Sequence, residues 1–395
     1  MKLPLSGVRI LDLSRLLPGP FASLVLADLG ADVVKVEDPR GGDPLRGLAP
    51  PASPGGDSAA FQALNRNKRS LALDLAVPAG RGAFLRLCDG ADAVIESFRP
   101  GVMDRLGIGW DVLHARNPRL VLCSLTGYGQ TGPRAGAAGH DLDYLAAAGV
   151  LSLSGPAGAA PIPPCVQVAD LAGGAWPAAA GILAALLGRR TSGQGAHLDV
   201  SMTEGALALL APHLAIAVSR GRPLERGREP LLGGTACYAV YRTQDGRFVA
   251  LAALEPKFFA GFCAAVGRPE LAARQWEAGG QGPRVELDRI FASRTFAAWS
   301  RFATEHDVCL APVLEGDEPR SDPQLAARGA FLEQDAGQGA AVAAVDTPVR
   351  IAGVPHPVRP APRLGQHGDE VLLEAGFTPE ELAGLRAGGV LGPWA

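Results

Sequence analysis

The chain has 395 residues but only six cysteines: Cys88, Cys123, Cys165, Cys237, Cys263 and Cys309. No two lie at the short spacing of a CxxC pair, which excludes a zinc finger and a thioredoxin-like redox motif. Each sits in an apolar setting and reads as a small core residue, as expected in a reducing cytoplasm. Charge of one sign is also missing. The net charge is −3 with no dense basic patch, so nucleic acid is excluded as a partner and an anionic ligand must be held by local Arg and Lys. The apolar runs "PAAAGILAALLG" and "GALALLAPHLAIAV" are short for a bilayer and read as buried helices. The start, "MKLPLSGVRI", lacks the apolar core of a signal peptide. GxSxG, HExxH and GxxxxGK[ST] do not occur. The first strand leads into "RLLPGPFASL" rather than GxGxxG, which argues against a nicotinamide dehydrogenase.

Hydrophobic residues make up 47% and charged residues 19%, a globular composition. The length exceeds what one core usually serves, so two domains are expected. Over the first 130 residues short apolar strands alternate with helices. "VRILDLS", "DVVKVED", "SLALDL", "AVIES" and "LVLCSLTG" are five strands, and "FASLVLADLG" and "AGRGAFLRLCDG" are helices. Near-continuous Val/Ile/Leu strands with intervening helices indicate a parallel sheet covered on both faces, an α/β fold. Residues 41–60, rich in Pro and Gly, read as a long loop of the kind that often forms a lid. Two alanine-rich helices follow, over 171–189 and 202–219, then a linker at 219–230. "ACYAVYRTQDGRFVALAAL" reads as a β-hairpin turning at Asp245-Gly246, followed by the helix "EPKFFAGFCAAVG". This begins a smaller α+β domain. "FTPEELAGLRAGG" carries a capping box from Thr378 to Glu381.

Three polar residues stand in apolar or glycine-rich settings: His140 in "GHDLDY", Asp170 in "VQVADLAGGAW" after an expected short strand, and Glu255 in "LAALEPKFF". Such groups are seldom placed there without a partner. Taken singly, Asp170 reads as a helix N-cap, Glu255 as a first-turn carboxylate and His140 as a structural hydrogen-bonding residue.

Taken together and in order they carry a resemblance. The segments "LSGVRILDLSRLLPGPFASLVLADLGADVVKVEDPRGGD", "NRNKRSLALDL", "ESFRPGVMDRLG", "GHDLDY", "VADLAGG" and "GILAALLGRRTSGQGAHLDVSMTEGAL" resemble the family III CoA-transferase superfamily (CaiB/BaiF type). That superfamily also contains the α-methylacyl-CoA racemases. The resemblance implies a large Rossmann-like domain from residues 1–220 and 331–395, with a small α+β domain at 221–330. It implies an obligate homodimer of interlocked chains, an acyl-CoA substrate, no metal, no membrane, a cytoplasmic location, and no cofactor beyond the CoA of the substrate.

Within the superfamily one aspartate serves two chemistries. In transferases the residue matching Asp170 attacks the thioester and becomes an aspartyl-CoA. In racemases the residues matching His140 and Asp170 exchange the α-proton through an enolate, and the one matching Glu255 orients the histidine. "GHD" with its following aromatic, and "ALEPKFF", point to the racemases. The 41–60 loop and "NRNKRS" point to the transferases, and Met1, Met103 and Met202 are too few for a methionine-lined acyl surface. By motif, Leu16, Leu17, Leu73, Ser97, Phe98, Arg99 and Arg105 match positions along the CoA path. Asp38 stands where family members commonly carry a phosphate-binding arginine, and Arg40, Lys68 or Arg69 are the candidate replacements.

Overall fold

A computed structural model describes residues 2–48, 50–277, 281–335, 341–355 and 358–392. The chain forms two compact units, one of residues 1–148, 165–209 and 324–395, the other of residues 149–164 and 210–323.

The first unit is built on a six-stranded sheet in the order β3-β2-β1-β4-β5-β6. Its strands are β1 (Arg9–Asp12), β2 (Asp32–Glu37), β3 (Arg69–Ala72), β4 (Ala93–Glu96), β5 (Val121–Thr126) and β6 (His197–Ser201). Every pairing is parallel. The five expected strands are present. The sixth, His-Leu-Asp-Val-Ser, alternates polar and apolar residues at the sheet edge and so lacks the apolar run that marks a buried parallel strand. Strand order reverses between β1 and β4, and in doubly wound sheets the crevice beyond the strand ends at that point receives the ligand.

On one face, Leu11, Val34, Val94 and Leu122 meet Phe84 and Leu87 of helix Pro78–Asp89, Leu113, and Val371, Leu372 and Leu382 of the C-terminal helices. Burying each such side chain stabilises the fold by about 1.5–3 kcal/mol. The other face is covered by helix Pro18–Asp28, buried at every residue but Phe21, and by helix Trp176–Ser192.

Charge is buried beside this sheet. Asp12 pairs with Lys68 at 3.3 Å, Lys35 with Asp43 at 2.9 Å, Glu37 with Arg46 at 2.7 Å and Asp28 with Arg66 at 2.6 Å. These pairs hold loops. Lys35 Nζ donates to the Ser14 carbonyl at 2.8 Å, and Asp43 Oδ1 accepts the Leu16 amide at 3.0 Å. Leu16 has φ of 63°, a left-handed backbone that a leucine adopts only when its surroundings impose it.

Three expectations are corrected here. Residues 41–60 are not an open loop: Leu45–Leu48 is helical, Pro51 bridges Ser58, and Arg46 ties the segment to Glu37 and Asp57. The helix expected over 202–219 is two helices, Met202–Leu209 and Ala211–Arg220, the second with Pro212 in its first turn. The run Ala169–Ser192 is continuously helical over 24 residues and, by length and composition, is long and apolar enough to cross a membrane. The expected span, 171–189, lies inside this run and falls short of it by two residues at the start and three at the end.

The second unit contains an antiparallel sheet, β7 (Tyr238–Arg242), β8 (Phe248–Ala252) and β9 (Leu310–Pro312). The β7–β8 hairpin turns at Gly246, φ 83°, as expected from Asp-Gly. Its core is aromatic. Tyr241 stacks on Phe291 at 4.5 Å, and Phe291 meets Trp299 at 4.7 Å, whose indole N–H donates to the Phe291 carbonyl.

Candidate active site

His140 is the N-cap of helix Asp141–Ala147. Its amide donates to Asp143 Oδ2 at 3.0 Å, and its side chain is exposed. The next residue, Asp141, reaches across the unit. Its Oδ1 accepts the amides of Ala169 at 2.7 Å and Asp170 at 3.0 Å. One carboxylate therefore joins the helix start that carries His140 to the backbone that carries Asp170. The tie from Asp141 to Asp170 leaves no signal in the sequence, since the two lie 29 residues apart along the chain.

Asp170 does not follow a strand, contrary to expectation, because residues 161–167 are irregular. Nor is it an N-cap. It lies in the first turn of a π-helical run, Ala169–Ala175, that continues into helix Trp176–Ser192. Wide turns of this kind are uncommon and frequent at functional sites. Glycine makes the run possible. A Cβ on Gly205 would lie 1.8 Å from the Gly173 carbonyl oxygen, so the run and helix Met202–Leu209 meet backbone to backbone.

Burial pushes the Asp170 carboxyl up to about 7, and the nearby Asp141 charge adds to the rise. A carboxyl poised there can hold or release a proton at neutral pH. Tyr144 closes the site. Burial and the Asp170 charge push its phenol up to about 12, its hydroxyl donates to the Gly139 carbonyl, and its ring stands edge-on to Tyr128 at 5.2 Å. A Cβ on Gly127 would come within 2.3 Å of that ring, so the glycine after β5 leaves the space it occupies.

The expected CoA contacts gather at the switch point. Leu16 and Leu17 follow β1, and Ser97, Phe98 and Arg99 follow β4. The Arg15 amide donates to Ser97 Oγ at 3.1 Å, and its guanidinium lies 5.2 Å from the Phe98 ring centre. Arg15 was missed in the sequence, where it reads as one more charge after a strand. Arg15, Arg99 and Arg105 are exposed, and among the described residues no ion pair holds them. Leu73 is 1% exposed and belongs to the core, so its side chain is not free to line a pocket. Arg40 is 70% exposed and bonded to Asp38 through Nε at 2.9 Å. Lys68 is wholly buried on Asp12, Asn65 and the Pro20 carbonyl, and Arg69 is bound to Asp32, Glu370 and Glu374. Neither is available to a phosphate.

Glu255 lies in the second unit, as N-cap of helix Pro256–Ala265. Its side chain is exposed and makes no capping bond, while Gln275 secures the chain before it through the Ala253 and Leu254 carbonyls. Among the described residues no group of three His, Cys, Asp or Glu is arranged for a metal ion.

Comparison with known proteins agrees with this arrangement. Residues 5–368 match the model of "CoA-transferase family III". The chain is 36% identical to the human α-methylacyl-CoA racemase, covering 97% of this chain and 96% of that protein. It is 35% identical to a succinate–glutarate CoA-transferase of Agrobacterium fabrum, covering 94% and 96%. The crystal structure of a CaiB/BaiF family protein from Brucella suis superposes with a TM-score of 0.82 at 30% identity, covering 95% of this chain and 100% of that one. This likeness along nearly the whole chain makes it a member of CoA-transferase family III, among whose relatives here are both a CoA-transferase and an α-methylacyl-CoA racemase.

Proposed function

We propose that this protein is an α-methylacyl-CoA racemase that interconverts the epimers of 2-methylacyl-CoA thioesters by 1,1-proton transfer. The observation that carries the reading is the Asp141 carboxylate bonded to the Ala169 and Asp170 amides, which joins the chain beside His140 to the chain at Asp170. Two groups that can each give or take a proton are what inversion at one carbon requires. One of them removes the α-proton, the electron pair passes into the thioester carbonyl as an enolate, and the other returns a proton to the opposite face. CoA lies along Leu16, Leu17, Ser97 and Phe98, with Arg15, Arg99 and Arg105 on its phosphates.

The active form is a cytoplasmic homodimer in which the partner subunit's Glu255 orients His140. Exposed Leu214, Ile216 and Val218 on helix Ala211–Arg220 supply apolar surface for such an interface. In "NRNKRS", Arg66 and Asn67 hold Asp28 and Lys68 holds Asp12, an arrangement that both readings accommodate.

The second reading is supported by the transferase relative. Asp170 would attack the thioester carbonyl and expel CoA thiolate, leaving a mixed anhydride; the thiolate would then attack the aspartyl carbonyl, free the donor acid and leave an aspartyl-CoA thioester that hands CoA to an acid acceptor. Incubating one 2-methylacyl-CoA epimer in D2O, with and without a free carboxylic acid, separates the two. The racemase washes deuterium into the α-position without an acceptor, and His140→Ala lowers that rate about 10²–10⁴-fold. Acceptor-dependent turnover with a hydroxylamine-trapped Asp170, untouched by His140→Ala, would replace the racemase reading.

A further inference from the structure

A cavity of about 220 Å³ lies behind the turn Ser97–Arg99, and the proton-transfer site does not use it. Glu96, Ser124, His197, Gln130 and Trp110 are among its lining residues. Glu96 ends β4, is 3% exposed, and accepts the Phe98 amide on Oε2 at 2.7 Å. The Ser124 hydroxyl favours its charged form and lies 2.9 Å from His197 Nε2. Here the hydroxyl stands between carboxyl and imidazole. A hydrolase triad needs the imidazole in the middle, so this chain cannot activate a serine. The one backbone group that Glu96 holds belongs to the turn after β4, on the CoA crevice.

The groups facing Glu96 give its charge little support. Burial lowers the imidazole of His197, from β6, below its ordinary range and so disfavours its charged form. Helix Val102–Arg105 brings Asp104, which repels it, and helix Trp110–Arg116 brings Asp111 and His114. Arg99 and Arg105 point to solvent, and among the described residues no cation pairs with Glu96. Buried Gln130 Nε2 has no hydrogen-bond partner. Burial accordingly pushes the Glu96 carboxyl up to about 7.

We propose that Glu96 is a positioning residue for the CoA-binding turn Ser97–Arg99, and that it takes up a proton from solvent when the phosphates of CoA bind beside it. The inference rests on the acyl-CoA reading above. The physical reason is mutual: added phosphate charge raises the cost of a nearby buried carboxylate, so proton and CoA bind cooperatively.

Calorimetric titration of CoA at pH 7.5–8.5, in buffers of different ionisation heat, counts the protons taken up. The wild type should take up on the order of half a proton more than Glu96→Gln, and its affinity should fall several-fold across that range while that of the variant does not. Glu96→Gln keeps an oxygen for the Phe98 amide, and the difference between the two proteins cancels protonation of CoA itself. Ser124→Ala, which removes a hydroxyl that favours the charged form, should move the wild-type midpoint upward. Equal proton uptake by wild type and Glu96→Gln would overturn this inference alone. Absence of any CoA binding by the wild type would overturn the acyl-CoA reading together with it.

Discussion

Beside the sheet of the first unit, Asp12–Lys68, Lys35–Asp43, Glu37–Arg46 and Asp28–Arg66 lie with side chains at most 7% exposed. In the second unit the interior is filled by Tyr241, Phe262, Phe291 and Trp299, and among the described residues every ion pair there has an arginine at least 27% exposed. The difference follows from what each interior holds in place. Aromatic rings contribute area and packing, worth several kcal/mol each, but they do not fix a neighbouring loop. A buried ion pair contributes little net stability, because desolvation offsets the attraction. It does dictate which backbone groups lie beside it, and here those are Ser14, Leu16 and the 41–60 segment around the ligand crevice.

The largest expected effect separates chemistry from both kinds of interior. Asp170→Asn should lower turnover by about 10²–10⁴-fold while leaving the melting temperature nearly unchanged, since Asp141 binds the amide at 170 and not its side chain. Next come two substitutions of similar size and different origin. Trp299→Ala should destabilise the second unit by about 3–5 kcal/mol at any pH. Asp12→Asn should cost the first unit about 3–5 kcal/mol at neutral pH by stranding buried lysines. Because Lys35, Lys68, Ser14 and Ser23 outweigh burial and hold the Asp12 carboxyl down to about 2, its contribution is present above pH 4 and is lost as pH falls through 2. Denaturant unfolding at pH 7 and pH 3 should therefore shrink the Asp12→Asn deficit and not the Trp299→Ala deficit. Equal shrinkage would erase the distinction between the two units.

Smaller effects refine the site. Asp141→Asn keeps an oxygen for the two amides and removes a charge that raises Asp170, so the acid limb of the rate profile should move down by on the order of one pH unit. Arg40→Ala should change the KM for acyl-CoA less than about threefold, because its guanidinium is exposed and already committed to Asp38.

Much of this was legible in the sequence. The apolar strands, the Asp-Gly hairpin and the Thr378–Glu381 capping box depend on local chemistry and stand where they were expected. The edge strand β6 was not legible, since its alternation is that of a half-exposed strand. In the site, motif order marked His140, Asp170 and Glu255. It could not separate exposed cations from buried ones: Lys68 and Arg69 look as free in sequence as Arg99 and Arg105, and only the partners Asp12, Asp32 and Glu374 tell them apart. Asp141 and Glu96 act through backbone amides, which leave no residue-type signature at all.

The wide turn at Ala169–Ala175 makes chain length as exacting as residue identity. Removing one residue between 171 and 175 would let the run relax to an α-helix, turning Asp170 by about 100° relative to the helix that follows. The same deletion would slide Gly173 off Gly205 and drive a larger residue into the backbone of the neighbouring helix. An insertion or deletion here should be as damaging as loss of the carboxylate itself.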